Sequence, residues 1–414
     1  MGLRRYLARP DGTNDFVLSD MDHREYIKEA IQETFAKWGY RLLETPLLEY
    51  TATFTKGVHR GEEEQLYRMF DASGRTLSLR PEMTTPVARI VASTLTSLAF
   101  PLRLCYVAKT YRQQDGRTRS SIEMTQAGIE LIGDRTLDAD AEVIAVMANC
   151  LQTLGVNEFR LAIGHMGYVQ AMLGAVPEDD RDVLREALID KDLVRFSRTL
   201  QDIKASLPEW VYEALNALPH TRGQREAIER AQSHAVDADS LRACEELLEL
   251  WSTLEAHGVA EYIHIDLGLY LNYEYYTGVV IEGYADSLGQ PICFGGRYDR
   301  LLEEFGRQAS ATGCVLHLER LMEIVQKKPT DRKLVTIWYE RSMRETALSF
   351  SRFLRNLGYN AASSQLVVMD QRHIEDEETS IEETCIFDES GEFRANGSKL
   401  LSLYQDFIGS LDQF

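Results

Sequence analysis

The spacing of apolar positions predicts two helices that flank a strand-rich region in the first third of the chain. Over 20–38, apolar residues recur at helical intervals (Ile27, Ala30, Ile31 and Phe35), which predicts an amphipathic helix. Residues 137–154 begin with acidic side chains and continue as VIAVMANCLQTL, a pattern typical of a buried helix with a favourable N-terminus. Strand-like segments lie between these two helices.

The pattern changes again downstream and predicts the domain organisation. Residues 176–257 are almost wholly helical in pattern, and strand character resumes at Tyr262 and continues to about Val325. After the linker QKKPTDRK at 326–333, the segments LVTIWYE, RETALSFSRFLRNLG and YNAASSQLVVM predict a strand, a helix and a strand. We therefore expect a core domain over 1–325 with a helical insertion at about 176–257, and a small α/β domain over 334–414.

Charge argues against nucleic-acid binding. The 414 residues carry a formal net charge of −20, and the segment 370–392 has ten acidic residues against one basic residue, Arg372. Nucleic-acid binders normally present a basic face, so we expect no tRNA partner. An acidic run of this kind is typical of a solvated loop.

The remaining composition indicates a cytoplasmic protein without a cofactor. No apolar run reaches membrane-spanning length, and the N-terminus lacks the apolar core of a signal peptide, so we expect no membrane association. The six cysteines are scattered and mostly lie in apolar segments, which predicts buried reduced thiols. The nine histidines show no metal-binding spacing, so no metal and no cofactor are expected.

Several candidate ligand-binding residues lie in the segment YRQQDGRTRSSIEMTQAGIELIG at 111–133. It opens with Arg112 in a strand context, and it ends with Gln126 and Glu130, four residues apart. Side chains four apart on an extended strand lie on the same face. This face of the strand therefore predicts a ligand site.

Four segments in one order resemble the histidyl-tRNA synthetase family of class II aminoacyl-tRNA synthetases. They are WGYRLLETPLLEY at 38–50, LRPEMTTPVAR at 79–89, VVIEGYADSLGQPICFGGRYDRLLEEFG at 279–306 and GCVLHLERL at 313–321. The resemblance implies an α+β fold built on an antiparallel sheet. It also implies dimerisation through the first segment, where Pro46 marks the family's first motif, and it places Arg320 at the arginine of the third motif.

Three departures from the family pattern concern the groups that activate the amino acid. Leu271 stands where the family has an arginine in Arg-Gly-Leu-Asp-Tyr-Tyr-Thr-Gly. The loop that ends in Gly-Arg-x-Arg in the family reads Arg-Ser-Ser-Ile at 119–122, and Gln114 replaces a glutamate. His317 replaces a glycine. Because amino-acid activation depends on cations around the phosphoryl group, we expect no aminoacylation and no catalytic residue.

The groups that hold the amino acid in that family are retained. Glu82 would accept from an α-ammonium, with Thr84 beside it on the same strand face, and Arg112 would neutralise a carboxylate. Gln126 and Glu130 would meet an imidazole. The predicted histidine-binding residues are Glu82, Thr84, Arg112, Gln126, Glu130, Tyr275, Tyr276 and Tyr298. The alternative is that these residues are relics that satisfy one another inside the sheet.

A second family resemblance fits a chain that lacks the activation groups but retains the amino-acid-binding groups. The segment TQAGIELIG and the methionine at Met83 resemble the regulatory subunits of short-form ATP phosphoribosyltransferases, which are related to histidyl-tRNA synthetases. The resemblance implies a non-catalytic subunit that binds the short catalytic subunit in the first step of histidine biosynthesis and mediates feedback by free histidine. Two alternatives are an active histidyl-tRNA synthetase and a synthetase-like amino-acid sensor or modifying ligase.

Overall fold

A computed structural model describes residues 7–55, 62–113, 121–273, 275–326, 334–365, 382–388, 390, 392–396 and 398–411. The chain divides into two compact units, Met1–Lys327 and Lys328–Phe414.

The strands of the first unit are β1 Arg41–Leu42, β2 Leu48–Tyr50, β3 Arg68–Phe70, β4 Thr76–Leu79, β5 Leu102–Tyr111, β6 Glu123–Ile132, β7 Phe159–His165, β8 Arg222–Gly223, β9 Ile263–Asp266, β10 Val279–Ala285, β11 Cys293–Arg297 and β12 Ala311–His317. Nine of them form one sheet in the order β1-β5-β6-β12-β11-β10-β7-β9-β8. Its pairs are antiparallel except β1 with β5 and β7 with β9. The predicted antiparallel core is confirmed.

The helices of the first unit are α1 Ser19–Lys37, α2 Thr51–Phe54, α3 Thr84–Ser93, α4 Leu137–Thr153, α5 Met166–Gly174, α6 Glu178–Ile189, α7 Leu193–Asp202, α8 Glu209–Ala217, α9 Arg225–Ser233, α10 Ala238–Ala256 and α11 Leu318–Ile324. The predicted helical insertion corresponds to α6 to α10. Side-chain caps define two of its helix starts: Asp192 accepts from the backbone N–H of Arg195, and Asp237 and Ser240 form a capping box.

The two helices predicted from apolar spacing pack together against the sheet. In α1, the fully buried Ile27, Ile31 and Phe35 lie on one face, four residues apart. In α4, most side chains between Ala139 and Leu151 are buried. These residues join one core cluster with the back of the sheet, so the opposite face of strands β5, β6, β11 and β12 remains available for a site.

A second sheet of three strands, in the order β2-β4-β3, carries an exposed apolar surface. Its exposed large apolar side chains, together with those of the adjacent segment 42–47, are Leu42, Leu47, Leu48, Tyr50, Met69 and Phe70. Apolar patches of this kind mark association surfaces.

The second unit is a mixed four-stranded sheet with two helices. Its strands are β13 Leu334–Tyr339, β14 Asn360–Gln365, β15 Glu382–Phe387 and β16 Phe393–Ala395, in the order β14-β13-β15-β16, and its helices are α12 Arg344–Asn356 and α13 Ser398–Leu411. The predicted strand, helix and strand are confirmed. The prediction of a loop over 370–392 is wrong for 382–387, since β15 pairs with both β13 and β16. Residues 370–381 lie outside the described residues.

Candidate functional site

A cavity opens on the face of the nine-stranded sheet opposite α4, with about 310 Å³ of space between atoms, part of it open to solvent. Its lining comes from strands β5, β6, β11 and β12, from the start of α3 and from the segments that precede α3, precede β10 and follow β11. The lining residues are Glu82, Thr84, Tyr106, Gln126, Glu130, Tyr273, Tyr275, Tyr276, Phe294, Gly295, Tyr298, Gly313, Cys314 and Val315. Seven of the eight predicted site residues are in this lining. Arg112, the eighth, lies in an adjoining cavity. Their role in binding histidine stays a prediction.

Glu130 is a buried carboxyl group in the cavity lining with several hydrogen-bond partners. Its carboxyl group accepts hydrogen bonds from three hydroxyls, those of Thr84 (2.9 Å), Tyr106 (3.2 Å) and Tyr298 (2.5 Å). Burial raises the pKa of Glu130 to about 8, with a contribution from the charge of Glu82, while the hydrogen bonds oppose the rise. At neutral pH this carboxyl group therefore carries a proton that a basic ligand can share.

Two glycines make room for these contacts. A Cβ at Gly313, which pairs with Glu130 across the sheet, would lie 1.8 Å from Glu130 Oε2. A Cβ at Gly128 would lie 2.5 Å from the Tyr106 hydroxyl oxygen, because the Tyr106 ring crosses above that position. A glycine inside an apolar strand marks such a close approach. Gly128 in TQAGIELIG was therefore an available signal for Tyr106, which our sequence analysis missed.

Glu82 forms the second polar end of the cavity. Its carboxylate oxygens accept from the backbone N–H of Thr85 at 3.2 and 3.1 Å. Burial raises the pKa of Glu82, opposed by the hydrogen bonds from Thr85 and by the positive charge of Arg112. The prediction that Thr84 shares a strand face with Glu82 is wrong: β4 ends at Leu79 and α3 begins at Thr84. Thr84 still reaches the cavity, from the first turn of α3.

Aromatic rings fill much of the space between the two carboxyl groups. Tyr275 contacts Tyr276 edge to face with ring centroids 4.8 Å apart, and its ring centroid lies 5.8 Å from that of Tyr298. Burial raises the pKa of each of these three hydroxyls well above the usual value. The rings therefore act as neutral walls with hydroxyl donors, which suits a flat polar ligand.

Arg112 lies one residue beyond the end of β5, at the outer edge of the site. Its Nε donates to the carbonyl oxygen of Pro81 at 3.1 Å, and its Nη2 donates to the hydroxyl of Tyr273. It lines the adjoining cavity of about 310 Å³ together with Glu82, Tyr273 and Tyr275. The guanidinium group is thus placed beside the Glu82 end of the main cavity.

Two of the positions that depart from the synthetase pattern, Leu271 and His317, are described, and both side chains are uncharged. Leu271 is buried in an apolar cluster beside the cavity. His317 is buried, and burial, reinforced by the charges of Arg320 and Arg112, lowers its pKa to about 3, so its ring is neutral. Arg320 donates to the carbonyl oxygen of Pro291. Gln114, Arg119 and Ser120 lie outside the described residues.

A buried ion pair supports the segment that closes the cavity. Arg297 Nε and Nη2 donate to Asp140 Oδ2 at 2.9 and 2.7 Å, and Nη2 also donates to the carbonyl oxygen of Thr136 at 2.8 Å. The two side chains are 8% and 1% exposed. Since Tyr298 follows Arg297 directly, the pair fixes β11 against the start of α4 and thereby positions the Tyr298 hydroxyl.

A larger cavity, with about 770 Å³ of empty space, lies between the helical insertion and the sheet. Its charged groups are already paired, Lys191 with Glu282 at 2.7 Å and Arg222 with Asp266 at 3.0 Å. Tyr270 lines this cavity and not the main one.

Within the described parts of the chain, no cluster of three or more His, Cys, Asp or Glu side chains is arranged to hold a metal ion. Among the same residues, no helix has both the length and the apolar character needed to cross a membrane.

The chain is similar to known proteins in both sequence and fold. The histidyl-tRNA synthetase family model matches residues 12–321. An ATP phosphoribosyltransferase regulatory subunit of Halalkalibacterium halodurans is 41% identical over 317 residues, which cover 76% of this chain and 79% of that protein. The corresponding protein of Bacillus subtilis is 34% identical over 89% of this chain and 92% of its own length.

Solved structures show the same fold. The crystal structure of an ATP phosphoribosyltransferase regulatory subunit/histidyl-tRNA synthetase from Bacillus halodurans is 36% identical, with a TM-score of 0.82 over 92% of this chain and 97% of that one. The histidyl-tRNA synthetase of Nostoc sp. PCC 7120, at 18% identity, has a TM-score of 0.77 over 96% and 99% and supports the fold alone. The predicted class II α+β fold is confirmed, and by sequence and fold together this chain belongs to the ATP phosphoribosyltransferase regulatory subunits, a family with the histidyl-tRNA synthetase fold.

Proposed function

We propose that this regulatory subunit binds the short catalytic ATP phosphoribosyltransferase subunit, is required for its activity, and confers feedback inhibition by free histidine. The observation that carries the histidine part is the cavity with a buried carboxyl group at each end, Glu82 and Glu130. Burial raises the pKa of both carboxyl groups, and two such groups in one cavity favour a ligand that supplies donors and positive charge.

Free histidine has the donors and the charge that complement the polar groups lining the two cavities. Its imidazole would donate to Glu130, with Gln126 on the same strand face, and its α-ammonium would donate to Glu82. Its carboxylate would lie towards Arg112. The tyrosine rings would pack on the imidazole.

A non-catalytic role is supported by the uncharged groups at the activation positions. Leu271 and the neutral His317 offer no cation to a transferring phosphoryl group. Absence of a tRNA partner is supported by the formal net charge of −20.

The proposal also includes a homodimer and a cytoplasmic location. The exposed apolar surface around β2 and β3 supports a dimer through the first motif, since burying such a patch against a second copy removes it from water. A cytoplasmic location is supported by the six cysteines, which are all buried free thiols.

Assembly with the catalytic subunit gives the direct test. Mixed at micromolar concentration with the short catalytic subunit of the same organism, the protein is expected to co-elute with it in a larger complex and to raise its phosphoribosyltransferase activity. An equal concentration of serum albumin serves as the control for non-specific stabilisation. Separate elution with unchanged activity would show that the partner assignment is wrong.

Histidine binding is expected at roughly micromolar to submillimolar affinity, equivalent to about 5–8 kcal/mol. Glu130→Gln keeps one oxygen acceptor but replaces the other carboxyl oxygen with an amide nitrogen, which cannot accept from the hydroxyls that Glu130 holds. It also removes the ionisable carboxyl group, and we expect it to cost about 1.5–3 kcal/mol of binding free energy. Glu82→Gln should cost a similar amount at the ammonium end. Calorimetry on folded wild type and both variants measures this. Unchanged affinity in both variants would identify the cavity residues as relics.

The pKa of Glu130 predicts how histidine affinity depends on pH. If the imidazole and Glu130 share one proton when bound, affinity should be nearly flat between the imidazole pKa, roughly 6.5, and the Glu130 pKa of about 8. Above that, Glu130 has lost its proton in the empty site, so affinity should fall by about tenfold per pH unit. The Glu130→Gln variant is expected to lack this decline just above pH 8.

A further inference from the structure

Tyr273 is one of three residues that line both the main cavity and the adjoining one. Both cavities are lined by Glu82, Tyr273 and Tyr275, whereas Glu130 lines only the main cavity and Arg112 only the adjoining one. Tyr273 itself is 8% exposed. Its side chain therefore belongs, with those of Glu82 and Tyr275, to the partition between the two spaces.

Contacts on several sides hold the Tyr273 ring in place. Its ring is stacked on Tyr275 at a centroid distance of 5.1 Å and on Phe294 at 6.1 Å. The Arg112 guanidinium carbon lies 5.5 Å from the ring centroid, and Arg112 Nη2 donates to the Tyr273 hydroxyl. A ring held by stacking, by a cation and by a charge-assisted hydrogen bond resists displacement.

The partition stands at the carboxyl end of the proposed ligand. With the imidazole at Glu130 and the ammonium at Glu82, the carboxylate of the ligand would point towards Arg112, whose positive charge opposes the rise that burial causes in the pKa of Glu82. In this structure the hydroxyl of Tyr273 takes the hydrogen bond from Arg112 that a carboxylate would take. A group attached to that carboxylate would clash with the Tyr273 ring.

We propose that Tyr273 is a specificity-determining residue that restricts the site to amino acids whose carboxyl group is free or unextended. This inference rests on the proposed histidine site and names its ligand class more closely. Carboxyl-extended derivatives, such as esters and acyl phosphates, are excluded by a steric clash with a held ring, and rejection by a built-in clash is a general route to selectivity. A feedback site with this partition responds to the free amino acid and ignores its activated forms.

The test compares ligands that separate charge from size. L-histidinamide has nearly the size of histidine but no carboxylate charge, so the step from histidine to histidinamide reports the loss of charge. L-histidine methyl ester and L-histidine benzyl ester are also uncharged at that end but extend further, so the step from histidinamide to the esters reports the clash. Affinities are measured by calorimetry on wild type, Tyr273→Leu, Tyr273→Phe and Tyr270→Leu, the last a matched change in the same loop that lines the other cavity.

In the wild type, the benzyl ester is expected to bind at least about tenfold more weakly than histidinamide. Tyr273→Leu should bring the two affinities to within about threefold of each other, whereas Tyr273→Phe, which retains the ring, and Tyr270→Leu should keep the wild-type ratio. The ratio of two ligands in one variant is insensitive to a general loss of stability. If Tyr273→Leu does not fold, Tyr273→Met is the replacement, since its thin side chain also removes the ring.

Equal binding of histidinamide and the benzyl ester by the wild type would overturn the inference, and so would an unchanged ratio in Tyr273→Leu. In either case histidine binding itself, and with it the proposed function, would stand. If the wild type binds neither histidine nor histidinamide, the proposed histidine site fails as well, and the two failures are thereby distinguished.

Discussion

Purified protein is expected to show no histidine-dependent exchange of pyrophosphate into ATP above a control without protein. Formation of an aminoacyl adenylate develops negative charge around the α-phosphoryl group, and removal of one stabilising contact costs about 2.7–4 kcal/mol, or roughly 10²–10³ in rate. Leu271, at the position of the family's arginine, is buried in an apolar cluster with Leu269 and Tyr276. It contributes no charge.

The other groups near that position do not compensate. Arg112 already donates to the Tyr273 hydroxyl and the Pro81 carbonyl oxygen. His317 has a pKa of about 3 and remains neutral at any pH at which the assay runs. Two or more missing contacts together should place the rate below detection.

The assay needs an active histidyl-tRNA synthetase as the positive control and Glu82→Ala as the negative one. Glu82→Ala removes the expected ammonium acceptor, so it distinguishes exchange at this site from a contaminating synthetase. We also expect Leu271→Arg alone to stay at background, because His317 remains. Histidine-dependent exchange that is present in wild type and lost in Glu82→Ala would contradict the non-catalytic role.

The part of the site that lies on one strand could be predicted from the sequence. Gln126 and Glu130 are both buried and both line the cavity, as the period of two along β6 requires. The partners of Glu130 could not be predicted in this way. Thr84 and Tyr298 reach it across 46 and 168 residues of chain, and such contacts depend on the order of strands in the sheet, which local pattern does not specify.

The error at Thr84 has a local cause. The prediction that Glu82 and Thr84 share a strand face takes no account of Pro86, which lies in the first turn of α3. Proline is well tolerated there because that N–H has no helical partner in any case. Two threonines followed by proline were therefore a signal for a helix start. The family resemblance, which concerns residue identity and not conformation, placed Thr84 in the site although the element was wrong.

In the acidic segment 370–392, the prediction from charge was wrong for part of the chain. Charge alone favoured a solvated loop over 370–392, yet Thr384, Cys385, Ile386 and Phe387 belong to a strand that pairs on both sides. The apolar residues of this short stretch, with Cys385 and Phe387 buried, outweigh the neighbouring acidic residues because pairing satisfies the backbone groups on both edges.

Replacing Arg297 with methionine is expected to lower the free energy of unfolding by about 3–5 kcal/mol. The substitution leaves Asp140, whose side chain is 1% exposed, as a buried carboxylate without its cation. It also removes the donor to the Thr136 carbonyl oxygen. Truncating one partner of a buried pair is strongly destabilising for this reason, even where the intact pair contributes little net stability.

Chemical denaturation of wild type, Arg297→Met and Lys37→Met measures the effect. Lys37 pairs with Glu33 on the surface of α1 at 2.9 Å with both side chains about 70% exposed, so its loss should cost no more than about 1 kcal/mol. The double variant Arg297→Met/Asp140→Leu is expected to be more stable than Arg297→Met alone, because it removes the buried charge that the single change leaves unpaired.

The decrease in the free energy of unfolding that a substitution causes is called its deficit here, and the way this deficit changes with pH identifies its physical cause. Burial raises the pKa of Asp140 and the charge of Arg297 opposes that rise, so without Arg297 the folded-state pKa must increase further. A carboxyl group with a raised folded-state pKa is destabilising above that pKa and much less so when it is protonated. The deficit of Arg297→Met should therefore be smaller at about pH 5 than at about pH 8, while that of Lys37→Met should barely change. A deficit that is equal at both pH values would indicate lost packing around the Arg297 side chain and not an uncompensated charge, and Tyr298 would then be positioned by contacts other than the ion pair.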